Sequence, residues 1–288
     1  MTPLLTRRRA LTALGAAFAG TVALPAQAWA ADGARQGPRP LVRAHAHNDY
    51  EHARPLLDAL DHRFGSVEAD IHLVGGQLLV GHDSGDPDST LEALYLDPLA
   101  ARVEANGGSV YAGHDTSLQL LVDLKTEGAS TYLELDRRLA AYPQLFTTYR
   151  DGEVVRGPVT VVVSGDRAAR GPMGEQTERR AFYDGRLTDL GSAAPASLIA
   201  LISDNWTQHF GWNGSGAFPE AERAKLRDIV ATAHGRGQTV RFWATPDTAG
   251  AARDALWAEL VAADVDFLNS DDLAGLEAFL DAHDPERG

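Results

Sequence analysis

Two hydrophobic rhythms alternate along this chain. Short apolar or alternating runs predict β-strands over Leu41–His47, Ser66–Leu73, Gln119–Lys125, Val159–Ser164, Leu198–Ser203, Thr239–Ala244 and Val265–Asn269, with a fainter eighth near Ala181–Leu187. Longer stretches with helical spacing fall between them and predict helices over Pro55–His62, Leu91–Ala105, Ser130–Tyr142, Pro219–His234, Ala251–Ala263 and Leu273–Ala282. Pro219, Glu220 and Glu222 suit a helix start, and Gly235-Arg236-Gly237 suits a stop. Repeated β-then-α units imply parallel strands joined by right-handed crossovers. Eight such units in about 250 residues predict a single-domain TIM-type (β/α)8 barrel over residues 41–288, with its site at the carboxyl ends of the strands. A doubly wound open sheet is the competing architecture, but no glycine-rich phosphate loop follows the first strand. Two pieces interrupt the pattern: Gly75-Gly76-Gln77 reads as a tight hairpin turn, and residues 149–158 as a second small excursion. The aromatic and glycine-rich stretch Trp206–Pro219 is expected to form part of a substrate pocket or a lid.

The first residues follow a different logic. Thr6-Arg7-Arg8-Arg9-Ala10-Leu11, an apolar run from Leu11 to Leu24 and small residues at Ala26, Ala28 and Ala30 predict a twin-arginine signal peptide over residues 1–30, and hence export to the cell envelope or beyond. The apolar run is shorter than the roughly 20 residues a membrane span needs, so no stable span is expected in the mature form. Residues 31–40 read as a flexible linker. The chain has no cysteine, which excludes a disulfide, a thiolate nucleophile and a cysteine-bound zinc. The formal charge is −14, and losing three leader arginines and no acid takes it to −17. Such a surface repels nucleic acid, yet admits a small anionic substrate where a metal inverts the local field.

The candidate chemistry is concentrated between residues 43 and 125. Alternate strand residues share a face, which aligns Arg43, His45 and His47 on the first strand, Glu68, Asp70 and His72 on the second, and Asp123 and Lys125 on the third. Val67, Ala69 and Ile71 leave the other face of the second strand apolar, as packing against helices requires. Paired carboxylates on an inward face need a hard cation between them, and oxygen ligands suit Ca²⁺ or Mg²⁺. His47 and His82, the latter followed by Asp83, add imidazoles that exchange protons near neutral pH. A cation with two imidazoles is the equipment for cleaving a phosphate ester. For Asp123 the alternative is a plain salt bridge to Lys125, and His45 reads better as a satisfied core histidine than as a ligand.

These motifs resemble the glycerophosphodiester phosphodiesterase family, within the superfamily of phosphatidylinositol-specific phospholipase C. The resemblance rests on His47, Pro55, Glu68-Ala69-Asp70 and His82-Asp83 in that order, then Leu121-Val122-Asp123-Leu124-Lys125-Thr126, Phe242-Trp243-Ala244-Thr245 and Val265–Asp271. It implies His47 and His82 as the catalytic acid–base pair, and Glu68, Asp70 and Asp123 as ligands of one divalent cation, Mg²⁺ or Ca²⁺. It further implies Lys125 and Trp243 as substrate contacts, with Asn48 standing where the family usually carries a phosphate-contacting arginine. The expected activity is hydrolysis of a glycerophosphodiester or a related lipid-derived phosphodiester. The run Asp123-Leu124-Lys125-Thr126 is also similar to the sphingomyelinase D branch, which extends the expected substrates to lysolipids. Two further readings stand beside it: a secreted binder of phospho-ligands without catalysis, and a zinc amidohydrolase-type barrel opened by His45-Ala46-His47.

Overall fold

Eight parallel strands close on themselves in the computed structural model, which describes residues 36–284. We number them β1 (Leu41–Ala46), β2 (Phe64–Val74), β3 (Leu118–Leu124), β4 (Val159–Gly165), β5 (Ala181–Gly185), β6 (Ile199–Asn205), β7 (Thr239–Trp243) and β8 (Phe267–Ser270). Each pairs with the next, and β8 returns to β1, so the predicted barrel is the observed one, including its fainter fifth strand. The predicted leader at 1–30 lies outside the described residues, as does the first half of the predicted linker. The second half of that linker is not free: Gly37 N–H donates to Ala112 O at 2.8 Å, and Gly37 O accepts from His114 Nε2 at 2.9 Å. Among the described residues no helix is long and apolar enough to cross a membrane.

The outward faces of the strands supply the core. Val67, Ala69 and Ile71 of β2, Leu120 and Val122 of β3, and Val161 and Val163 of β4 are fully buried under the helices. Helix Glu220–His234 buries Leu226, Ile229, Val230 and Ala233, a helical stripe, and keeps Glu220 and Glu222 in its first turn, where the helix dipole favours them. Asp272 caps helix Leu273–His283 by accepting from Gly275 N–H at 2.9 Å. Predicted helix Leu91–Ala105 opens with a π-helical turn, Glu92–Leu96, before Asp97–Ala105, and the first helix shortens to Leu57–Asp61. The hairpin after β2 turns on Gly75 and Gly76 and returns as Gln77–Val80, and the excursion near residue 150 is a second hairpin, Thr148–Arg150 with Glu153–Val155.

The interior is unusual for such a barrel, which is normally filled with branched apolar side chains. Here Leu121, Val162, Leu201 and Phe267 form only a small inner apolar cluster. The remaining inward positions carry His45, Ser66, Glu68, Gln119, Ser164, Asp184, Ser203 and Arg241, all buried. At the amino end Arg43 closes the interior, with Nε 2.6 Å from Asp284 Oδ2 and an ion pair to Asp264. Burying this many polar groups is tolerated only because they bond to one another.

The stretch Trp206–Pro219 departs from its expectation. None of its residues lines the central cavity. Trp206, Phe210, Trp212 and Phe218 are buried instead, with Trp206 stacked on Phe210 at 4.0 Å and Trp212 on Phe218 at 4.5 Å between ring centroids. The indole N–H of Trp206 donates to Trp212 O at 2.7 Å. These rings pack over Phe242 and extend the main hydrophobic core, because large aromatic surfaces gain more from mutual burial than from facing water.

Candidate active site

A cavity of about 240 Å³ opens at the carboxyl ends of the strands. His47, Asn48, Glu68, His82, Asp123, Lys125 and Trp243 all line it, so seven of the eight residues singled out from the sequence converge there. The eighth, Asp70, lies just behind them with its side chain buried.

Strand register explains the convergence. Asp70 of β2 and Asp123 of β3 are paired Cα positions, and Glu68 sits two residues before Asp70 on the same inward face. One carboxylate oxygen from each of the three lies within 4.8 Å of the others. Gly165, at the end of β4, permits this arrangement: its φ is +79°, and a Cβ there would stand 2.5 Å from Asp123 Oδ1.

Each acid already has an internal partner. Lys125 Nζ lies 3.0 Å from Asp70 Oδ2 and 3.3 Å from Asp123 Oδ1, so the salt bridge anticipated as the alternative for Asp123 exists alongside the cluster. Arg241 reaches Glu68 Oε2 at 3.0 Å, and His45 Nε2 reaches the same oxygen at 2.9 Å. The Tyr50 hydroxyl lies 2.7 Å from Asp70 Oδ2. Asp70 Oδ1, although buried, has no hydrogen-bond partner among the described residues. A buried carboxylate oxygen left unpaired in an all-oxygen cluster fits a hard divalent cation, and the absence of imidazole from the cluster does not fit zinc.

Burial and charge set the protonation states. Burial opposes ionisation of Glu68, but the Arg241 guanidinium and His45 outweigh it and hold the carboxyl well below its ordinary range. Burial raises Asp70 and Asp123. His45 is driven down to about 4 by burial and by Arg241, so it is neutral at pH 7. Its Nδ1 lies 2.7 Å from Ser66 Oγ, which occupies its other nitrogen and fits the core role expected of it.

The two candidate catalytic imidazoles share one arrangement. His47 Nδ1 lies 2.8 Å from Asp271 Oδ1, and His82 Nδ1 lies 3.0 Å from Asp83 Oδ1. A carboxylate only accepts, so Nδ1 carries the proton in each ring and Nε2 is left for substrate. Burial works against the charged form of His47, but Asp271 and Glu68 outweigh it and raise its pKa above the ordinary value. His82 stands on an exposed loop that rims the cavity. That loop is tied down by His72, whose Nε2 donates to Gly81 O at 3.0 Å and reaches His82 O at 3.2 Å.

Several participants escaped the sequence reading. Arg241 alternates with Trp243 along β7, so the period that singled out Glu68 and Asp70 would have found it. Asp271 lies at the end of a quoted motif, but only the fold brings it to His47. Ser164, Arg186 and Ser203 also line the cavity, from β4, the end of β5 and β6, and serines on strands carry no signal of their own.

Known proteins resemble the chain in sequence and in fold. The model of the AIM6-like phosphodiesterase domain matches residues 39–184. Altered inheritance of mitochondria protein 6 of Eremothecium gossypii is 31% identical over 278 residues, 83% of this chain and 69% of that protein. The protein of the same name from Lachancea thermotolerans is 29% identical over 81% of this chain and 64% of its own length, so the chain spans about two thirds of these relatives. A solved glycerophosphoryl diester phosphodiesterase from Parabacteroides distasonis shares the fold, with a TM-score of 0.50 and 12% identity over 86% of this chain and 89% of that one. On the family match and the 31% identical relative together, the chain belongs to the AIM6-like phosphodiesterase domain family.

Proposed function

We propose that the cavity hydrolyses a small phosphodiester, a glycerophosphodiester or a related lipid-derived diester, by acid–base catalysis between His47 and His82 beside one divalent cation. The observation that carries the reading is the juxtaposition of three clustered carboxylates, one with an unpaired buried oxygen, and two imidazoles whose Nε2 atoms are left free by Asp271 and Asp83. Glu68, Asp70 and Asp123 would hold Ca²⁺ or Mg²⁺, which when bound supplies positive charge against the non-bridging phosphate oxygens. One imidazole takes the proton of the attacking hydroxyl on its Nε2 as the new P–O bond forms. The other enters as the imidazolium, protonated on both nitrogens, and donates its Nε2 proton to the departing alkoxide as the old P–O bond breaks, keeping its Nδ1 proton hydrogen-bonded to its carboxylate partner. Positioned groups of this kind contribute roughly 10²–10⁴ in rate each. Lys125, held between Asp70 and Asp123, offsets charge on the phosphate, and Asn48 and Trp243 contact the rest of the substrate. Among the described residues Trp243 is the one large apolar side chain lining the cavity, which favours a water-soluble diester over an acyl chain. The twin-arginine leader predicted from the sequence would carry this activity to the cell envelope or beyond.

The test uses the mature protein with bis(4-nitrophenyl) phosphate and glycerophosphocholine, with and without chelator. Turnover should require Ca²⁺ or Mg²⁺ and fall at least a hundredfold in His47→Ala and in His82→Ala, each with an unchanged thermal midpoint. Full turnover in either variant, or undiminished turnover under chelation, refutes the assignment.

A further inference from the structure

The groups assigned so far come from β1, β2, β3 and β7 and the loops that follow them. The remaining wall, β4 to β6, is built around Asp184, a β5 residue only 1% exposed. Its Oδ2 accepts from Ser164 Oγ at 2.7 Å, from Ser203 Oγ at 2.8 Å and from Arg186 NH1 at 2.6 Å. Each serine gives its proton to Asp184 and so presents a lone pair to Arg186, with Ser164 Oγ 3.3 Å from NH2 and Ser203 Oγ 3.4 Å from NH1. The backbone is fixed as well: Arg186 N–H donates to Asp189 Oδ2, and Leu187 N–H to Asp204 Oδ2, both at 3.0 Å.

This support holds one edge of the guanidinium and leaves another open. Arg186 Nε has no partner among the described residues, NH2 bonds only to Ser164, and a quarter of the side chain stays exposed where it lines the cavity. A guanidinium needed only to neutralise Asp184 would gain nothing from leaving its Nε–NH2 edge bare. That edge is the one that matches two oxygens of a phosphate or carboxylate. It lines the same cavity of about 240 Å³ as Lys125 and Asp123, and Ser164, which lies 3.3 Å from NH2, is the Cα partner of Asp123 on the neighbouring strand. A phosphodiester has two non-bridging oxygens, and a group lodged against the acid cluster with one of them leaves the other for a second cation on the adjoining wall.

We propose that Arg186 is a substrate-binding residue that grips the phosphodiester from the end of β5, two strands along from Lys125, with Asp184, Ser164 and Ser203 as its positioning residues. The inference rests on the phosphodiesterase reading and gives it a specificity element: the site selects a monoanionic diester by holding it between two fixed cations, and a neutral ester gains nothing there.

The mature protein is titrated calorimetrically with dimethyl phosphate, and turnover of bis(4-nitrophenyl) phosphate and glycerophosphocholine is split into kcat and KM. Arg186→Met should weaken dimethyl phosphate binding and raise KM for both substrates about 10–100-fold, the loss of one or two charge-assisted hydrogen bonds. Arg186→Lys keeps the ion pair to Asp184 but not the fork. It should lose several-fold in affinity, and it decides the matter if the methionine variant fails to fold. Partial recovery of Arg186→Met by added methylguanidinium supports a direct contact, which a purely structural role would not produce. Wild-type affinity and KM in Arg186→Lys overturn the proposal and leave the phosphodiesterase reading standing. A KM raised for one diester only, with unchanged dimethyl phosphate binding, overturns it in favour of a contact to the leaving alcohol. A wild-type protein that neither binds dimethyl phosphate nor turns over any diester overturns both.

Discussion

The Glu68–Arg241 pair gives a prediction whose sign depends on pH. Both side chains are nearly inaccessible, Glu68 5% and Arg241 3% exposed, and they meet at 3.0 Å. Losing one member of a buried pair typically costs about 3–5 kcal/mol, because the other charge is left without compensation. The two members differ in what they can do afterwards. Arginine stays charged at every accessible pH, and the Nε and NH1 of Arg241 already lack partners. Glu68→Gln therefore leaves a stranded cation with no way to relax. Arg241→Met leaves a carboxylate beside His45, and that pair relaxes by taking up one proton.

The sign follows from linkage. In the wild type Glu68 is held below its ordinary range, so its contribution is present above the unfolded value near 4.3 and is lost only as pH falls through the lower folded value. Between pH 5 and 8 that contribution is flat. In Arg241→Met, burial without the guanidinium raises the proton affinity of the Glu68–His45 pair. The folded variant then keeps a proton on that pair at pH values where the folded wild type has none, so its deficit relative to wild type grows by about 1.4 kcal/mol per pH unit up to the variant's new folded value and levels off above it. Urea unfolding in chelator at pH 5, 6.5 and 8 checks this. Arg241→Met should be about 3–4 kcal/mol less stable than wild type at pH 8 and recover most of that by pH 5, while Glu68→Gln should show a deficit of about 3–5 kcal/mol at all three. A deficit in Arg241→Met that does not change with pH would falsify the reasoning.

Three further outcomes follow. Asp271→Asn removes the charge that raises His47, so whichever limb of the kcat/KM pH profile belongs to His47 should move to lower pH; an unmoved profile dissociates His47 from the titration. Trp206→Ala should cost about 3–5 kcal/mol in urea unfolding, as a deleted buried aromatic does, with KM unchanged because the aromatic cluster does not line the cavity; a raised KM would restore the stretch as a lid. Gly165→Ala must displace Asp123 or the backbone of Leu124, which a new Cβ would approach to 2.4 Å at its nitrogen, and should weaken divalent-ion binding measured by calorimetry more than it lowers the thermal midpoint. An unaltered ion affinity would show that Asp123 tolerates the shift.

What the sequence disclosed follows the reach of its periods. A period of two along β2 and β3 fixes which side chains face inward, so the Glu68, Asp70 and Asp123 constellation was legible before any coordinates. The parallel βα repeat likewise determines closure and the end at which the cavity opens. Contacts that depend on closure were not legible. Asp271 meets His47 across 224 residues, and Arg241 meets Glu68 only because β7 and β2 face each other across the interior. Ser164, Asp184, Arg186 and Ser203 lie on strands whose patterns look ordinary, and their meaning comes from mutual hydrogen bonds. The aromatic stretch was misjudged because composition does not distinguish rings that face a ligand from rings that face one another.

Charge balance around the cavity bears on the order in which its ligands bind. Glu68, Asp70, Asp123 and Asp184, with Asp271 and Asp83 beside the two imidazoles, stand against Lys125, Arg186 and Arg241, which leaves a net charge of −3 when the two catalytic imidazoles are neutral and −1 when both are charged. A diester monoanion entering alone would deepen that charge in a half-closed polar space on a chain whose formal charge is already −14. A divalent ion on the three carboxylates raises the balance by two charges and removes most of the field that opposes the monoanion. The two ligands must then favour each other, and by linkage to the same degree, within the factor of about 5–150 usual for coupled sites. Calorimetric titration of dimethyl phosphate into the mature protein should give a tighter constant with Ca²⁺ or Mg²⁺ present than with chelator. The ion titrated in the presence of dimethyl phosphate should tighten by the same factor. Equal constants under both conditions would mean that the anion sits beyond the field of the carboxylates, on Arg186 alone, and the picture of one phosphate held between the two walls would have to be given up.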